Sequence, residues 1–307
     1  MSEATMSPKL IIQMLMKEAV PERVDEIDAL WGFYKPRVDV VENRIGITLN
    51  ASRERIEFDS KTVEIFWLIG FSGWQAIECY APHVCLSPIS EKTLIELFRD
   101  DEELPDIERL YRERLATVRN YIKQRNSDAL PWPNDLPLPV ANRDALDNDQ
   151  HKVAYDLVTL ATAFTFFHEF RHVMLDFDEL RPDERKEEEL QCDVWAREFM
   201  TVKLASYAKD NSHNYYEVLR KRSMGLAIAA LILHEITPKH GLNPHYFSIK
   251  TRLTTLLRET NLPDNDHFWI FVASLMVGVF RSDHRELTFT PMPARQLAVC
   301  LLDKFPE

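Results

Sequence analysis

Glycine is scarce in this sequence, with 7 in 307 residues, which excludes collagen-like repeats, glycine-loop-rich folds and turn-dense β architectures. Its four cysteines, Cys79, Cys85, Cys192 and Cys300, form no CxxC pair and no dense framework. They read as small hydrophobes in a reducing, intracellular setting rather than as disulfide partners. Positive charge is also in deficit. Lys and Arg total 37 against 49 Asp and Glu, a formal net charge of -12, whereas a surface that grips phosphates needs the opposite sign. Nucleic acid is therefore not an expected partner. The most apolar stretches, residues 224–233 and 270–280, fall short of the roughly 20 residues that span a bilayer. The first residues carry Glu3 and lack a cationic start, an apolar run and a small-residue cleavage site, so no secretory leader is expected. These exclusions point to a cytoplasmic protein without a membrane span.

What remains is the mixture of a globular protein, 45% hydrophobic and 28% charged residues, with chain enough for one large domain or two ordinary ones. The hydrophobic and capping pattern predicts helices over residues 9–19 and 22–34. It predicts a hairpin from strands 44–49 and 55–59 joined through Asn50, Ala51 and Ser52, and a helix opened by Ser60 and running to about Cys79. Further helices are expected over 91–99 and 106–125. The second carries Arg109, Arg112, Arg114, Arg119, Lys123 and Arg125 beside Glu108 and Glu113, and reads as a solvated face before it reads as a basic groove. Pro131, Pro133, Pro137 and Pro139 interrupt any helix there, marking residues 131–150 as a linker or an extended wall. Beyond it, helices are expected over 149–176, 183–209, 215–234, 244–258, 267–280 and 293–302. The expected fold class is mainly α (α+β): an N-terminal mixed region over 1–130 with a small hairpin, the Pro-rich segment, and a helical region over 151–307.

One pattern carries chemistry. His168, Glu169, Phe170, Arg171 and His172 form an HExxH inside residues 156–175, a run free of Gly and Pro. Residues four apart project from one helix face, so His168 and His172 present two imidazoles to a single tetrahedral Zn²⁺. Glu169, about 100° round the helix, reaches a metal-activated water without ligating the metal. Chance alone gives about 0.03 such matches in a chain of this composition, so the motif is specific. The competing structural reading is two helical histidines satisfied by neighbours, with an incidental Glu between them.

A catalytic zinc site needs a third protein ligand and one position left for water. The next helix offers Glu187, Glu188, Glu189, Cys192 and Asp193. Glu189, 17 residues after His172, is the leading candidate; Asp193 follows four residues on, placed to accept the other ring N–H of a ligating histidine. Glu188 is the alternative ligand. An acidic first turn with no ligand among these Glu residues is also open, since the helix dipole favours carboxylates there. Cys192 is a further possible ligand and, more simply, a buried small hydrophobe.

The segments Phe167-His168-Glu169-Phe170-Arg171-His172-Val173 and Glu189-Leu190-Gln191-Cys192-Asp193, followed by Ala196, resemble those of the Lit-type phage-exclusion peptidases of bacteria. More broadly the pattern resembles the gluzincins, over residues 161–200. The resemblance implies a helical zincin-like core in which His168, His172 and Glu189 ligate Zn²⁺, Glu169 is the general base and Asp193 supports a ligand from behind. It also implies a protein substrate in phage defence, elongation factor Tu by analogy with abortive infection.

An oxyanion stabiliser is not identified by spacing. His213, Tyr215, Tyr216, His234, His240, His245, Tyr246 and Arg252 are all candidates. His234-Glu235 begins a second HE, but Pro238 replaces the second His, and His245 is the preferred member of the set. Two other readings stay open: a zinc amidase or deformylase-like hydrolase of a small substrate, and a non-enzymatic regulator on a protease scaffold. Oligomeric state is not legible.

Overall fold

A computed structural model of the chain describes residues 7–42, 47–123, 132–139, 142–146, 148–236, 248–257, 260–285 and 287–306. Helix α1 (Pro8–Ala19) starts with proline at its first position and Ser7 as its N-cap. Helix α2 (Val24–Tyr34) ends on Lys35, whose left-handed φ of 48° terminates it just before Pro36. Three short strands follow: β1 (Arg37–Val40), β2 (Leu49–Ser52) and β3 (Arg55–Phe58). The order is β1-β3-β2, with β1 parallel and β2 antiparallel to β3.

The hairpin exists, but its turn is displaced from the expected place. Ser52 pairs with Arg55 and Ala51 with Ile56, so the turn is Arg53-Glu54, and Asn50, Ala51 and Ser52 belong to the strand. Asn and Ser favour turns through local side-chain bonds; here the pairing with β3, whose Ile56 and Phe58 are buried, overrides that preference. Of the expected strand over 44–49, residues 44–46 lie outside the described set. Strand β1, which Pro36 obscured, was not expected.

Helix α3 (Ser60–Leu86) is capped by Asp59 rather than Ser60. Asp59 keeps the extended backbone (φ -96°, ψ 141°) that a cap requires, and its side chain accepts from the Lys61 amide at 2.8 Å. The helix continues through Pro82 because Tyr80, His83 and Val84 are buried. Helix α4 (Leu94–Asp100) opens with a capping box of Thr93 and Glu96. Helix α5 (Leu104–Lys123) carries the arginine-rich run. Arg109, Arg112 and Lys123 of that run are exposed, as a solvated face requires, while Arg114 bonds Gln75 and Asp135, and Arg119 bonds Glu235 and Asp283. The described part of the Pro-rich segment lies against α3, where the Trp67 indole donates to the Pro137 carbonyl at 2.9 Å.

Helix α6 (Asp149–Phe177) is the centre of the molecule. It carries Phe164, Phe167 and Phe170 fully buried and is covered on several sides rather than along one stripe. The expected helix over 183–209 divides into α7 (Arg185–Thr201) and α8 (Leu204–Asp210). At the break the Thr201 hydroxyl donates to the Arg197 carbonyl at 2.8 Å, the local side-chain bond that competes with a helix ladder. Then come α9 (Tyr215–Ile236), α10 (Ile249–Leu257), α11 (His267–Ser282) and α12 (Ala294–Asp303). Among the described residues the result is a mainly helical fold with one small sheet, and no helix is long and apolar enough to cross a membrane.

Of the described glycines, Gly70, Gly73, Gly225 and Gly278 sit where helices approach closely. A Cβ at Gly225 of α9 would lie 2.5 Å from the Leu160 Cβ of α6, and one at Gly70 of α3 would overlap Val158 of α6. Both replacements press on the helix that bears the HExxH. Gly225→Ala and Gly70→Ala are each expected to destabilise the protein by about 1–3 kcal/mol in urea unfolding; neutral effects would mean that α6 can shift freely.

Candidate metal centre

Helix α6 delivers His168 and His172 from adjacent turns of one face, their rings 4.9 Å apart. The chain then turns sharply. Glu179 adopts φ 58° and the Leu180 amide bonds back to the Leu175 carbonyl at 2.9 Å, a Schellman closure made here without glycine. Residues 178–184 thereby return α7 against α6, bringing the buried side chains of Glu188, Glu189, Cys192 and Asp193 to the two rings.

Each ring is held from behind by its own carboxylate. Asp193 Oδ1 lies 2.9 Å from His168 Nδ1, and Glu188 Oε1 lies 2.5 Å from His172 Nδ1. A carboxylate can only accept, so the proton of each neutral ring sits on Nδ1 and the Nε2 lone pairs face forward. Those two Nε2 atoms are 3.2 Å apart. Glu189 faces both rings, one oxygen to each, with Oε2 3.3 Å from His168 Nε2 and Oε1 3.7 Å from His172 Nε2. The Cys192 thiol is also near, within 4.8 Å of donor atoms of both rings.

The carboxylates are stabilised in turn. Arg252 of α10 bonds both oxygens of Asp193, Nε to Oδ2 at 2.6 Å and Nη2 to Oδ1 at 2.9 Å, and its Nη2 stands 3.8 Å from Glu189. Arg181, half exposed, pairs with Glu188 at 3.0 Å. In the metal-free protein burial pushes Glu189 up, but hydrogen bonding to His168 and the charges of His168, Arg252 and His172 outweigh it and hold the carboxyl at about 2. Asp193 is depressed likewise: burial opposes ionisation, and Arg252 and His168 reverse it. Burial would lower His168, yet its bonds to Asp193 and Glu189 raise it to about 10. Burial raises Glu169, only partly offset by the two histidines, which brings a carboxylate nearer to the range of a working base. Burial and the surrounding carboxylates push the Cys192 thiol far up, disfavouring a thiolate.

A cleft of about 550 Å³ opens over this group. Its floor includes His168, Glu169, His172 and Glu189; Leu49, Asn50 and Ala51 of β2 border it, Phe66, Phe164, Leu233 and Ile236 supply apolar wall, and Arg181, Arg185 and Arg252 are its cations.

A family model described as Peptidase U49 matches residues 56–272, a span that runs from β3 into α11 and contains every side chain just named from α6, α7 and α10. The chain belongs to the Peptidase U49 family. No curated protein and no solved structure matches it.

In this U49 peptidase the structure brings together His168, Glu169, His172, Glu189 and Asp193, and adds Arg252 from the wider set of candidates. Glu188, weighed from spacing as an alternative ligand, instead bonds the back of His172. His234 is buried on α9, stacked on Phe305 and beside Asp283, and is not among the cleft residues. His213 stacks on Tyr207 and lines a separate cavity, and Tyr215 and Tyr216 are exposed. His240, His245 and Tyr246 lie outside the described residues. One signal would have pointed to Glu188: two imidazoles buried on one helix face each need an acceptor for the ring N–H turned away from the cleft.

Two expectations follow for the metal-free U49 peptidase. The depressed Glu189 and Asp193 contribute stability that is complete above the ordinary carboxylate range and is lost as pH falls from about 4.5 toward 2. The raised His168 contributes stability that is complete below about 6.5 and is lost as pH rises through about 10. Denaturant unfolding across pH should therefore decline at both ends, and a flat profile would contradict these pairings. Asp193→Asn, which leaves Arg252 buried without its counter-charge, is expected to cost about 3–5 kcal/mol. Glu188→Gln, whose Arg181 partner reaches water, should cost much less in the same assay.

Proposed function

We propose that this U49 peptidase is a zinc-dependent metallo-endopeptidase, with His168, His172 and Glu189 as ligands, Glu169 as the general base and Asp193 fixing His168. The observation that carries this reading is the convergence of two Nε2 atoms and one carboxylate. Zinc bonds of 2.0–2.2 Å in a tetrahedron place ligand atoms about 3.3–3.6 Å apart; the two Nε2 atoms are 3.2 Å apart and Glu189 Oε2 lies 3.3 Å from His168 Nε2, while its other oxygen, Oε1, faces His172 Nε2 at 3.7 Å. The donor set of two imidazoles and one carboxylate is that of a catalytic rather than a structural zinc site. Glu189 is preferred over Cys192 because its carboxyl is ionised in place while the thiol is held protonated.

When bound, zinc would supply Lewis acidity, polarising the peptide carbonyl and acidifying a water. The chain's own part is proton transfer and placement. Glu169, with its carboxyl in the cleft and its affinity for protons raised by burial, takes the proton of the attacking water and hands it to the departing amine. The apolar wall of Phe66, Phe164, Leu233 and Ile236 accommodates a hydrophobic side chain beside the cut and keeps bulk water from the reacting carbonyl. Arg252 and Arg181 are engaged by Asp193 and Glu188, so Arg185 and Asn50 are the cleft side chains proposed to face a developing oxyanion.

The resemblance to Lit-type phage-exclusion peptidases and to gluzincins extends the reading. The substrate is an intracellular protein, elongation factor Tu by that analogy, cleaved in the cytoplasm during phage defence.

Glu169→Gln should retain one zinc per chain by elemental analysis while peptide turnover falls by about 10²–10⁴-fold. Glu189→Ala should lose the metal, and Cys192→Ala should keep it. In cells, a search for new protein termini should find cleavage with the wild type and none with Glu169→Gln. Equal cleavage by both would remove Glu169 from the mechanism, and zinc retained by Glu189→Ala but lost from Cys192→Ala would reassign the third ligand.

A further inference from the structure

The two carboxylates behind the histidines differ in how they are held. Glu188 relies on Arg181, a side chain 44% exposed that also pairs with Asp176. Asp193 is completely buried and grips a guanidinium with both oxygens. That guanidinium belongs to Arg252, itself buried, 59 residues further along the chain and on a different helix.

We propose that Arg252 is a positioning residue of the metal centre: its planar fork sets the plane of the Asp193 carboxylate, which aims His168, while its Nη2 stands against Glu189. The proposal rests on the zinc reading above. Two N–H groups of one rigid group reach the two oxygens of one carboxylate, and this leaves Asp193 no free rotation about its last bond. Asp193 Oδ1, one of the two oxygens held by the fork, also receives His168 Nδ1–H at 2.9 Å, so the direction of the imidazole, and with it the aim of Nε2, is tied to the guanidinium. The 3.8 Å approach of Nη2 to Glu189 Oε2 places the same cation against the third ligand. One side chain thus stands against two of the three α7 carboxylates at the site, Asp193 and Glu189.

The surroundings fix Arg252 as firmly as it fixes its partners. Leu253, Leu256 and Leu257 on α10 are fully buried. A second bond, from the Arg197 guanidinium to the Thr255 carbonyl at 2.8 Å, ties α7 to α10 one turn away, so the two helices cannot slide past each other without breaking it. A lysine at 252 would keep the charge but not the fork, because an ammonium is a point donor that cannot hold a carboxylate plane.

The test compares the full-length wild type with Arg252→Lys and Arg252→Met. Zinc affinity is read by competition with a chromogenic chelator, and ligand geometry by the visible bands of the Co²⁺-loaded protein. Arg252→Lys is expected to lose about 10–100-fold in zinc affinity, the usual penalty for removing a group that orients a ligand, and to show altered cobalt bands. Because Arg252→Met strands a buried carboxylate and can fail to fold, a third variant, Arg252→Met with Asp193→Asn, removes both charges and should show the same loss of affinity. Zinc affinity within about twofold of wild type, with an unchanged cobalt spectrum, in either Arg252→Lys or the double variant overturns the positioning role and leaves the zinc reading intact. A wild type that takes up neither zinc nor cobalt overturns the zinc reading itself.

Discussion

Placing four carboxylates beside two imidazoles in a largely buried space is electrostatically expensive, and everything else at this site follows from how that expense is met. Glu169, Glu188, Glu189 and Asp193 cluster around rings whose forward nitrogens carry no proton when neutral. Arg252 and Arg181 offset two of the four charges. The remaining two negative charges equal the charge of one divalent cation, and the solvent-facing Arg185 is too exposed to substitute for it. Without metal the balance is struck by protons, which is why His168 is drawn up and Glu189 held down in each other's presence. Under the zinc reading proposed above, such a site would trade a proton for a metal ion, the exchange expected of a centre whose ligands must be deprotonated to bind.

The scaffold reconciles that polar cluster with a dense interior. Helix α6 is covered on several sides, so the histidines lie within the core's wall instead of on a loop. Close helix approach requires small residues, and four of the described glycines stand there, Gly70 and Gly225 against α6 and Gly73 and Gly278 between other helices. At four described turns, by contrast, Lys35, Glu179, Ser212 and His284 adopt positive φ where glycine is the easier residue. The consequence is a rigid mount for the HExxH helix, with its backbone strain exported to the surface connections.

How much of this was legible depended on the range of the interaction. The HExxH helix announced itself because residues 156–175 carry neither Gly nor Pro and two histidines stand one turn apart. The spacing of Glu189 and Asp193 was readable for the same reason, since a single helix period relates them. Where a choice turned on competition between local and tertiary preferences, the local signal misled: Asn50 and Ser52 looked like a turn and are a strand, Ser60 looked like a cap and Asp59 is the cap, and one long helix became α7 and α8 at Thr201. Arg252 was visible only as one of eight candidates, because nothing in a linear pattern connects it to Asp193 across 59 residues. Glu188 stood beside Glu189 as an alternative for one role because linear spacing does not tell which nitrogen of a neighbouring ring a carboxylate meets; in the fold it meets His172 Nδ1.

Strand β2 lies at the margin of the sheet and borders the cleft through Leu49, Asn50 and Ala51. A sheet margin offers its amides and carbonyls at a repeat that only a fully stretched main chain can match. Whatever lies along it must first be free of helix and of other strands, so the docked segment of a folded target would have to be a solvent-borne, unstructured connection or one transiently released. Discrimination would then rest on the target's local pliancy as much as on its residue order, and the same amino acids sequestered in a helix would go uncut.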